Sequence, residues 1–108
     1  MKIELHPEAE DELYESAGWY NDQRSGLGDE LIAEVERWLL VIDESPTVWP
    51  RWPGVPTTDP MIRRVLLDRF PFGIAYQIYE DKIVILAVAH TSRKPLYWSR
   101  RAGPGTEP

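Results

Sequence analysis

Polar and apolar positions alternate with a period of two in several stretches of the chain, and this pattern predicts β-strands. Residues 1–5 predict a short first strand, residues 61–69 a second, and residues 72–78 a half-buried third. Residues 82–90 are apolar on both faces, which is typical of a strand covered on both sides, so we place this fourth strand in the middle of the sheet. Strict alternation along it would put Ile83, Ile85, Ala87 and Ala89 on one face and Val84, Leu86 and Val88 on the other.

Between the first two strands, apolar residues recur at the spacing of amphipathic helices. Pro7 suits the first position of one helix, which ends around Gln23. The glycines at 26 and 28 break the pattern, and a second helix capped by Gly28 or Asp29 runs to Ser45. Helices joined by so short a link pack antiparallel. The order β-α-α-β-β-β therefore predicts an α+β fold, a helical hairpin packed on a mainly antiparallel four-stranded sheet.

Two segments lie outside these elements. Residues 46–60 contain five prolines, which exclude a helix or an interior strand. Trp49 and Trp52 in this segment predict an ordered cover over the core, because exposed indoles on a flexible loop would waste apolar area. Residues 102–108 lack an apolar anchor and are predicted to be a disordered tail. The sequence thus predicts a single domain over residues 1–101.

The net charge of −6 conceals two halves of opposite sign. Residues 1–48 hold 13 acidic and 3 basic side chains, whereas residues 49–108 hold 5 acidic and 9 basic ones. An acidic total weakens the case for non-specific nucleic-acid binding, which depends on many phosphate contacts. The basic half still permits a local face that binds anions.

Composition excludes several classes of site. Cysteine is absent, so there is no disulfide, no thiolate zinc site and no cysteine nucleophile. The opening MKIEL turns polar at once, which argues against a signal peptide, and no apolar run approaches the roughly 18 residues of a membrane span. His6 and His90 are the only histidines and lie far apart in sequence, so no metal site is predicted. We expect a soluble, cytoplasmic protein without metal or cofactor.

The predicted central strand delivers cationic and aromatic side chains to one rim of the domain. These residues are His90, Arg93, Lys94, Tyr97, Trp98, Arg100 and Arg101. Neighbouring strand residues point to opposite faces, so only one of Arg63 and Arg64 can share a face with this rim. Cationic side chains placed beside a histidine and a tyrosine suit the binding of an anionic group or the transfer of protons.

Structural roles are the alternative for each of these residues. His90 can form a hydrogen bond across the sheet, and Arg93 can pair with a carboxylate of the acidic helices. Tyr97 and Trp98 can belong to the core or to its cover. The residues alone leave both possibilities open.

Four short segments follow one another at a characteristic spacing. They are Ile-Arg-Arg at 62–64, FPFGIAY at 70–76, AVAH at 87–90 and RKPLYW at 93–98. With the element order, they resemble the RelE/ParE superfamily, the toxin halves of bacterial type II toxin–antitoxin pairs, and in detail its ParE, or plasmid-stabilisation, branch. The resemblance covers residues 3 to about 101. It implies a cognate antitoxin partner and a hetero-oligomer with that antitoxin.

The resemblance implies different activities for the two branches. ParE-like members poison DNA gyrase through protein–protein contact, without chemistry of their own. RelE-like members are metal-independent endoribonucleases that cleave mRNA, which requires cations around the phosphorane and groups that transfer protons. In that case Arg64, His90, Arg93 and Tyr97 would be the working residues, and direct nucleic-acid binding would be expected. A third alternative is a degenerate member that binds an antitoxin and poisons nothing.

The acidic total charge favours the ParE-like alternative, since RelE-type enzymes are usually strongly basic. The four-residue interval between Arg93 and Tyr97 is also shorter than in ribosome-dependent members. For a ParE-like toxin, the residues expected to bind the target or the antitoxin are Arg63, Arg64, Arg93, Tyr97, Trp98 and Arg100. DNA gyrase is the target that the resemblance implies.

Overall fold

The computed structural model of the chain describes residues 1–56 and 60–104. Its elements are β1 (Lys2–Leu5), α1 (Pro7–Gln23), α2 (Leu27–Glu44), β2 (Arg63–Leu66), β3 (Phe72–Tyr79), β4 (Lys82–His90) and a 3-10 turn at Ser99–Arg101. The predicted α+β fold is confirmed, with two helices packed on a four-stranded sheet. None of the helices within the described residues is long and apolar enough to cross a membrane.

The sheet has the strand order β1-β4-β3-β2. β1 runs parallel to β4, and the other two pairs are antiparallel, so the sheet is mixed and mainly antiparallel. β4 therefore has a neighbour on each side over its first half, which confirms its predicted central place. Beyond Ile85, the last residue of β4 paired with β1, this strand has a hydrogen-bonding edge that no strand of the described residues covers.

A β-bulge divides β4 into two halves. Ala75 of β3 pairs with Ala87, but the next residue, Tyr76, pairs with Ile85, so Leu86 is the extra residue. Ile83, Ile85 and Val88 consequently belong to the core under the helices, whereas Leu86, Ala87 and Ala89 belong to a cluster on the opposite face. The strict alternation expected along residues 82–90 holds through Leu86 and is wrong after it, because this one extra residue reverses the faces of all those that follow.

Both faces of the sheet are covered. The helices cover one face, where Leu31 and Val35 of α2 are fully buried with Ile74 of β3. On the other face, the C-terminal segment and the described part of the proline-rich segment enclose a second cluster around Trp98 and Leu86. β3 is buried from Phe72 to Ile78 and is not the half-buried strand that its alternation predicts, because this second layer covers its other face.

The described part of the proline-rich segment is an ordered cover, as its tryptophans predict. Trp49 packs against Trp38 of α2, with ring centroids 5.3 Å apart. Trp52 packs against Trp98 on the other face of the sheet, with centroids 5.0 Å apart. The segment therefore wraps around the β2 edge and contacts both layers. Its residues 57–59 lie outside the described residues.

Close contact between the two helices depends on a glycine. Gly26, with φ of 89°, is the N-cap of α2, so Gly28 lies inside the first turn and does not cap the helix. A Cβ on Gly28 would stand 1.9 Å from the carbonyl oxygen of Ala17 in α1. The N–H of Gly28 instead donates to Oδ1 of Asn21, at 2.8 Å. No larger residue fits here unless the helices move apart.

The chain remains packed after the 3-10 turn. Gly103 donates its N–H to Oε1 of Gln77, at 3.1 Å, and accepts from Nε2 of the same side chain, at 2.8 Å. Gln77 is buried. Packing therefore extends past residue 101, because the Gly103 backbone is bonded to Gln77 and the Ala102 side chain packs against the second cluster. Residues 105–108 of the predicted tail lie outside the described residues.

Candidate functional site: a cationic cleft

A cleft of about 200 Å³ opens on the sheet face opposite the helices, beside the ends of β2 and β4. The cationic residues of its lining are Arg64, Arg93 and Lys94, and no carboxylate of residues 1–56 or 60–104 contributes to it. We call this site the cationic cleft. Its apolar and aromatic lining includes Trp52, Leu66, Leu96, Tyr97 and Trp98. The cleft thus combines fixed positive charge with apolar surface, which suits an anionic group carried on an apolar body.

Arg64 reaches the cleft because of its place on β2. Its guanidinium carbon lies 5.7 Å from the centre of the Trp52 ring, on the face away from the helices. Arg63 points to the other face, where its guanidinium donates a hydrogen bond to the carbonyl of Trp49. Arg63 does not line the cleft. Only one of the two arginines is placed there, as strand alternation predicts.

The turn after β4 supplies the remaining cations. Its first residues are fixed by the N–H of Arg93, which donates to the carbonyl of His90 at 3.0 Å. The guanidinium of Arg93 lies over the ring of Tyr97, 4.0 Å from its centre. No carboxylate among the described residues pairs with Arg93, so the predicted alternative of an ion pair with the helices is wrong. Stacking holds the side chain in place and leaves its donors for a ligand.

The hydroxyl of Tyr97 is already engaged. It donates to Oε2 of Glu12 in α1. Burial, together with this carboxylate acceptor, raises the pKa of Tyr97 above its ordinary value. A neutral hydroxyl held by a carboxylate does not readily exchange a proton with a ligand in the cleft. Tyr97 therefore offers the cleft its ring and not its proton.

His90 lies at the rim, where β4 ends. Its ring packs edge-on against Phe72, which faces the helices, with centroids 5.1 Å apart. Its Nδ1 accepts from the N–H of Ser92 at 3.1 Å and lies 2.7 Å from the Ser92 hydroxyl. These local bonds replace the hydrogen bond across the sheet that was one alternative for this residue. The imidazole and the Arg64 guanidinium thus lie on opposite faces of the sheet.

The two remaining predicted site residues, Trp98 and Arg100, contact other parts of the protein. Trp98 is 1% exposed and belongs to the cluster beneath the cleft. Arg100 is exposed and forms an ion pair with Glu8 of α1, at 2.9 Å, outside the cleft. The cleft thus gathers Arg64, Arg93, Tyr97, Trp98 and the rim residue His90, but neither Arg63 nor Arg100.

Comparison with known proteins gives a structural match without a sequence match. No protein-family model matches the chain, and no curated protein matches its sequence. The structure is similar to a chain of the solved structure described as "Chromosomal ParDE TA system from P. aeruginosa", with a TM-score of 0.62 and 18% identity, over 85% of this chain and 97% of that chain. The fold is RelE/ParE-like. At this identity the similarity establishes the fold alone.

Three residues near the cleft were absent from the predicted site. Lys94 could have been predicted, because it lies beside Arg93 in the cationic segment of the sequence. Nothing in the sequence points to Trp52, because its position depends on the path of the proline-rich segment. Nothing in the sequence points to Glu12 either, because it is one of 13 acidic residues among the first 48 and only its partners in the fold distinguish it. Among the described residues, no group of three or more potential metal ligands converges.

Proposed function

We propose that this chain is the toxin of a type II toxin–antitoxin pair and that it inhibits growth by binding a protein target. The observation that carries the proposal is the cationic cleft, which concentrates Arg64, Arg93 and Lys94, with no carboxylate from the described residues, on a protein of net charge −6. A RelE/ParE-like fold and similarity to a chain of a ParDE system support it. The cytoplasm is the compartment in which such a toxin acts.

Binding explains the cleft better than catalysis does. A ribonuclease needs a proton donor and acceptor beside the phosphate. The Tyr97 hydroxyl is held by Glu12, and the His90 ring packs on Phe72, on the other face from Arg64. Within the described part of the chain, the two candidate proton-transfer groups of the cleft are therefore an engaged hydroxyl and a ring that packs away from Arg64. We assign them to the recognition of an acidic, partly apolar surface, with DNA gyrase as the target that the resemblance implies.

The same cleft is the proposed docking site of a cognate antitoxin. An acidic antitoxin segment would place carboxylates on Arg64 and Arg93 and apolar side chains on the aromatic lining. Arg63 and Arg100 already have partners, so we expect them to add less. The hetero-oligomer would thus block the surface that meets the target. Its affinity should fall with added salt, because screening shortens the reach of exposed charges.

An assay of gyrase supercoiling with the purified protein tests the proposal. The wild type should inhibit supercoiling, and the double variant Arg64→Glu/Arg93→Glu should not. Arg24→Glu is the matched control, because Arg24 is an exposed arginine at the far end of α1. Supercoiling that is unchanged at saturating wild-type protein would exclude gyrase as the target.

A further inference from the structure

The outer surface of α1 exposes two aromatic side chains. Trp19 is 59% exposed and Tyr14 is 57% exposed. Trp19 borders a cleft of about 230 Å³ whose other lining residues are Ser16, Tyr20, Phe72 and His90. The ring of Trp19 lies 5.0 Å from that of Tyr20, at 85°, and the ring of Phe72 lies 6.2 Å beyond Tyr20. Aromatic surface therefore runs without interruption from the core to solvent.

Carboxylates flank this aromatic surface. Glu15 lies four residues before Trp19 and Asp22 three residues after it, so each is one helical turn away on the same side of α1. Both are exposed, and neither has an ion pair or hydrogen bond within the described part of the chain. Nearer the start of α1, Glu8 and Glu12 differ, since Arg100 and Arg101 neutralise them. The negative charge beside Trp19 is uncompensated.

The combination selects a cationic partner. An indole ring is the best aromatic acceptor for a lysine or arginine cation, and the aliphatic stem of such a side chain packs on the same surface. A second copy of this chain would oppose like charges, because a two-fold contact brings the same patch of each copy together. Gly18 is also exposed, with nothing within 4 Å of where its Cβ would stand, so a partner helix can approach the α1 backbone beside Trp19.

We propose that Trp19, Glu15, Asp22 and the aromatic cleft beside them form a docking surface for a basic amphipathic helix of a partner protein. A lysine or arginine of that helix lies over the Trp19 ring between the two carboxylates, and an apolar side chain enters the cleft. This surface is opposite in charge to the cationic cleft. It therefore repels the acidic segment proposed for that cleft and serves a second partner.

A synthetic helix of about 18 residues, built from leucine and lysine so that one face is apolar, is the probe. Calorimetry should detect its binding to the folded protein, and a peptide with glutamate for each lysine should not bind. Trp19→Ala and Glu15→Gln/Asp22→Asn should each weaken binding about fivefold or more. Glu36→Gln/Glu44→Gln removes the same charge from exposed positions of α2 that have no partner among the described residues, and should change affinity less than about twofold.

Three results would overturn the proposal. Equal losses in the two double variants would mean diffuse charge attraction without a site. Binding of the glutamate peptide would remove the role of the carboxylates. Self-association that Trp19→Ala abolishes, seen by sedimentation, would assign the surface to a second copy of the chain. Circular dichroism of each variant checks that the fold is intact.

Discussion

Glu12 of α1 and Arg101 of the 3-10 turn form a two-point ion pair, with Oε1–Nη1 and Oε2–Nη2 distances of 3.0 and 3.1 Å. The pair closes the edge of β4 that β1 leaves unpaired. Arg101 also donates to the carbonyl of Leu86, at 3.0 Å, and Glu12 accepts from the N–H of Val88, at 3.2 Å. Two side chains thus satisfy backbone groups at the bulge and just after it, where no strand of the described part of the chain does.

Removing Glu12 should therefore cost much more than removing an ordinary surface carboxylate. The Arg101 side chain is 5% exposed, so Glu12→Ala leaves it buried without its two-point partner and with only the half-exposed Glu8 carboxylate, at 3.1 Å, among the described residues. We expect a loss of about 3–5 kcal/mol in the free energy of unfolding, measured with urea. Glu36→Ala, at an exposed position of α2, should stay within about 0.5 kcal/mol. Similar losses at both positions would mean that the ion pair does not secure the edge.

Two glycines of the helical hairpin should respond oppositely to the same substitution. Gly28→Ala places a Cβ against the Ala17 carbonyl and should destabilise the protein by about 1–3 kcal/mol or more, because the helices must separate. Gly18→Ala meets open space and should stabilise it by about 0.5–1 kcal/mol, since alanine favours a helix. Thermal unfolding of both variants decides, and a tolerated Gly28→Ala would contradict the close helix contact.

The leucine at the bulge should behave as a core residue although it is the unpaired one. Leu86 is 1% exposed and packs in the cluster around Trp98. Leu86→Ala should lower the free energy of unfolding by about 2–4 kcal/mol through lost burial and a cavity. Leu66 is 48% exposed at the edge of the sheet, so Leu66→Ala should lower the free energy of unfolding by clearly less. A loss at Leu86 below about 0.5 kcal/mol would show that the second layer is not packed.

Tyr97 should remain un-ionised when ordinary tyrosines titrate. Its pKa is raised by burial and by the Glu12 carboxylate. Tyrosine in the unfolded chain ionises at about pH 10. The contribution of the neutral Tyr97 hydroxyl to the free energy of unfolding is therefore fully present below that pH and is lost as the pH rises above it. Tyr97→Phe should thus leave the phenolate absorbance of the folded protein unchanged near pH 10 and make unfolding less sensitive to pH there. A loss of about one fifth of that absorbance would mean that Tyr97 titrates normally.

Much of the fold was predictable because the apolar patterns are long and uninterrupted. The run from Lys82 to His90 has the bounds of β4, and the alternation of Arg63 and Arg64 correctly puts one arginine in the cleft. The bulge was not predictable, because nothing in IVILAVA distinguishes Leu86 from its neighbours. Its position depends on the pairing of β3, which is a property of the folded sheet.

The sequence predicted which cationic residues line the cleft better than it predicted how they are arranged there. Sequence proximity gathered Arg93, Lys94 and Tyr97, which a single turn does bring together. The partners of these residues come from distant segments: Trp52 from the proline-rich cover and Glu12 from α1. Such contacts follow from tertiary packing, and for that reason the sequence left open whether Arg93 pairs with a carboxylate and did not predict its stacking on Tyr97.

Growth of cells that express this chain without a partner is the most direct test of the central claim that it is a toxin acting through the cationic cleft. We predict that the wild type and Arg24→Glu arrest growth and that Arg64→Glu/Arg93→Glu, accumulated to the same level, does not. Normal growth with folded wild-type protein present would contradict the claim of toxicity. Arrest by the double variant equal to that by the wild type would contradict the role of the cleft.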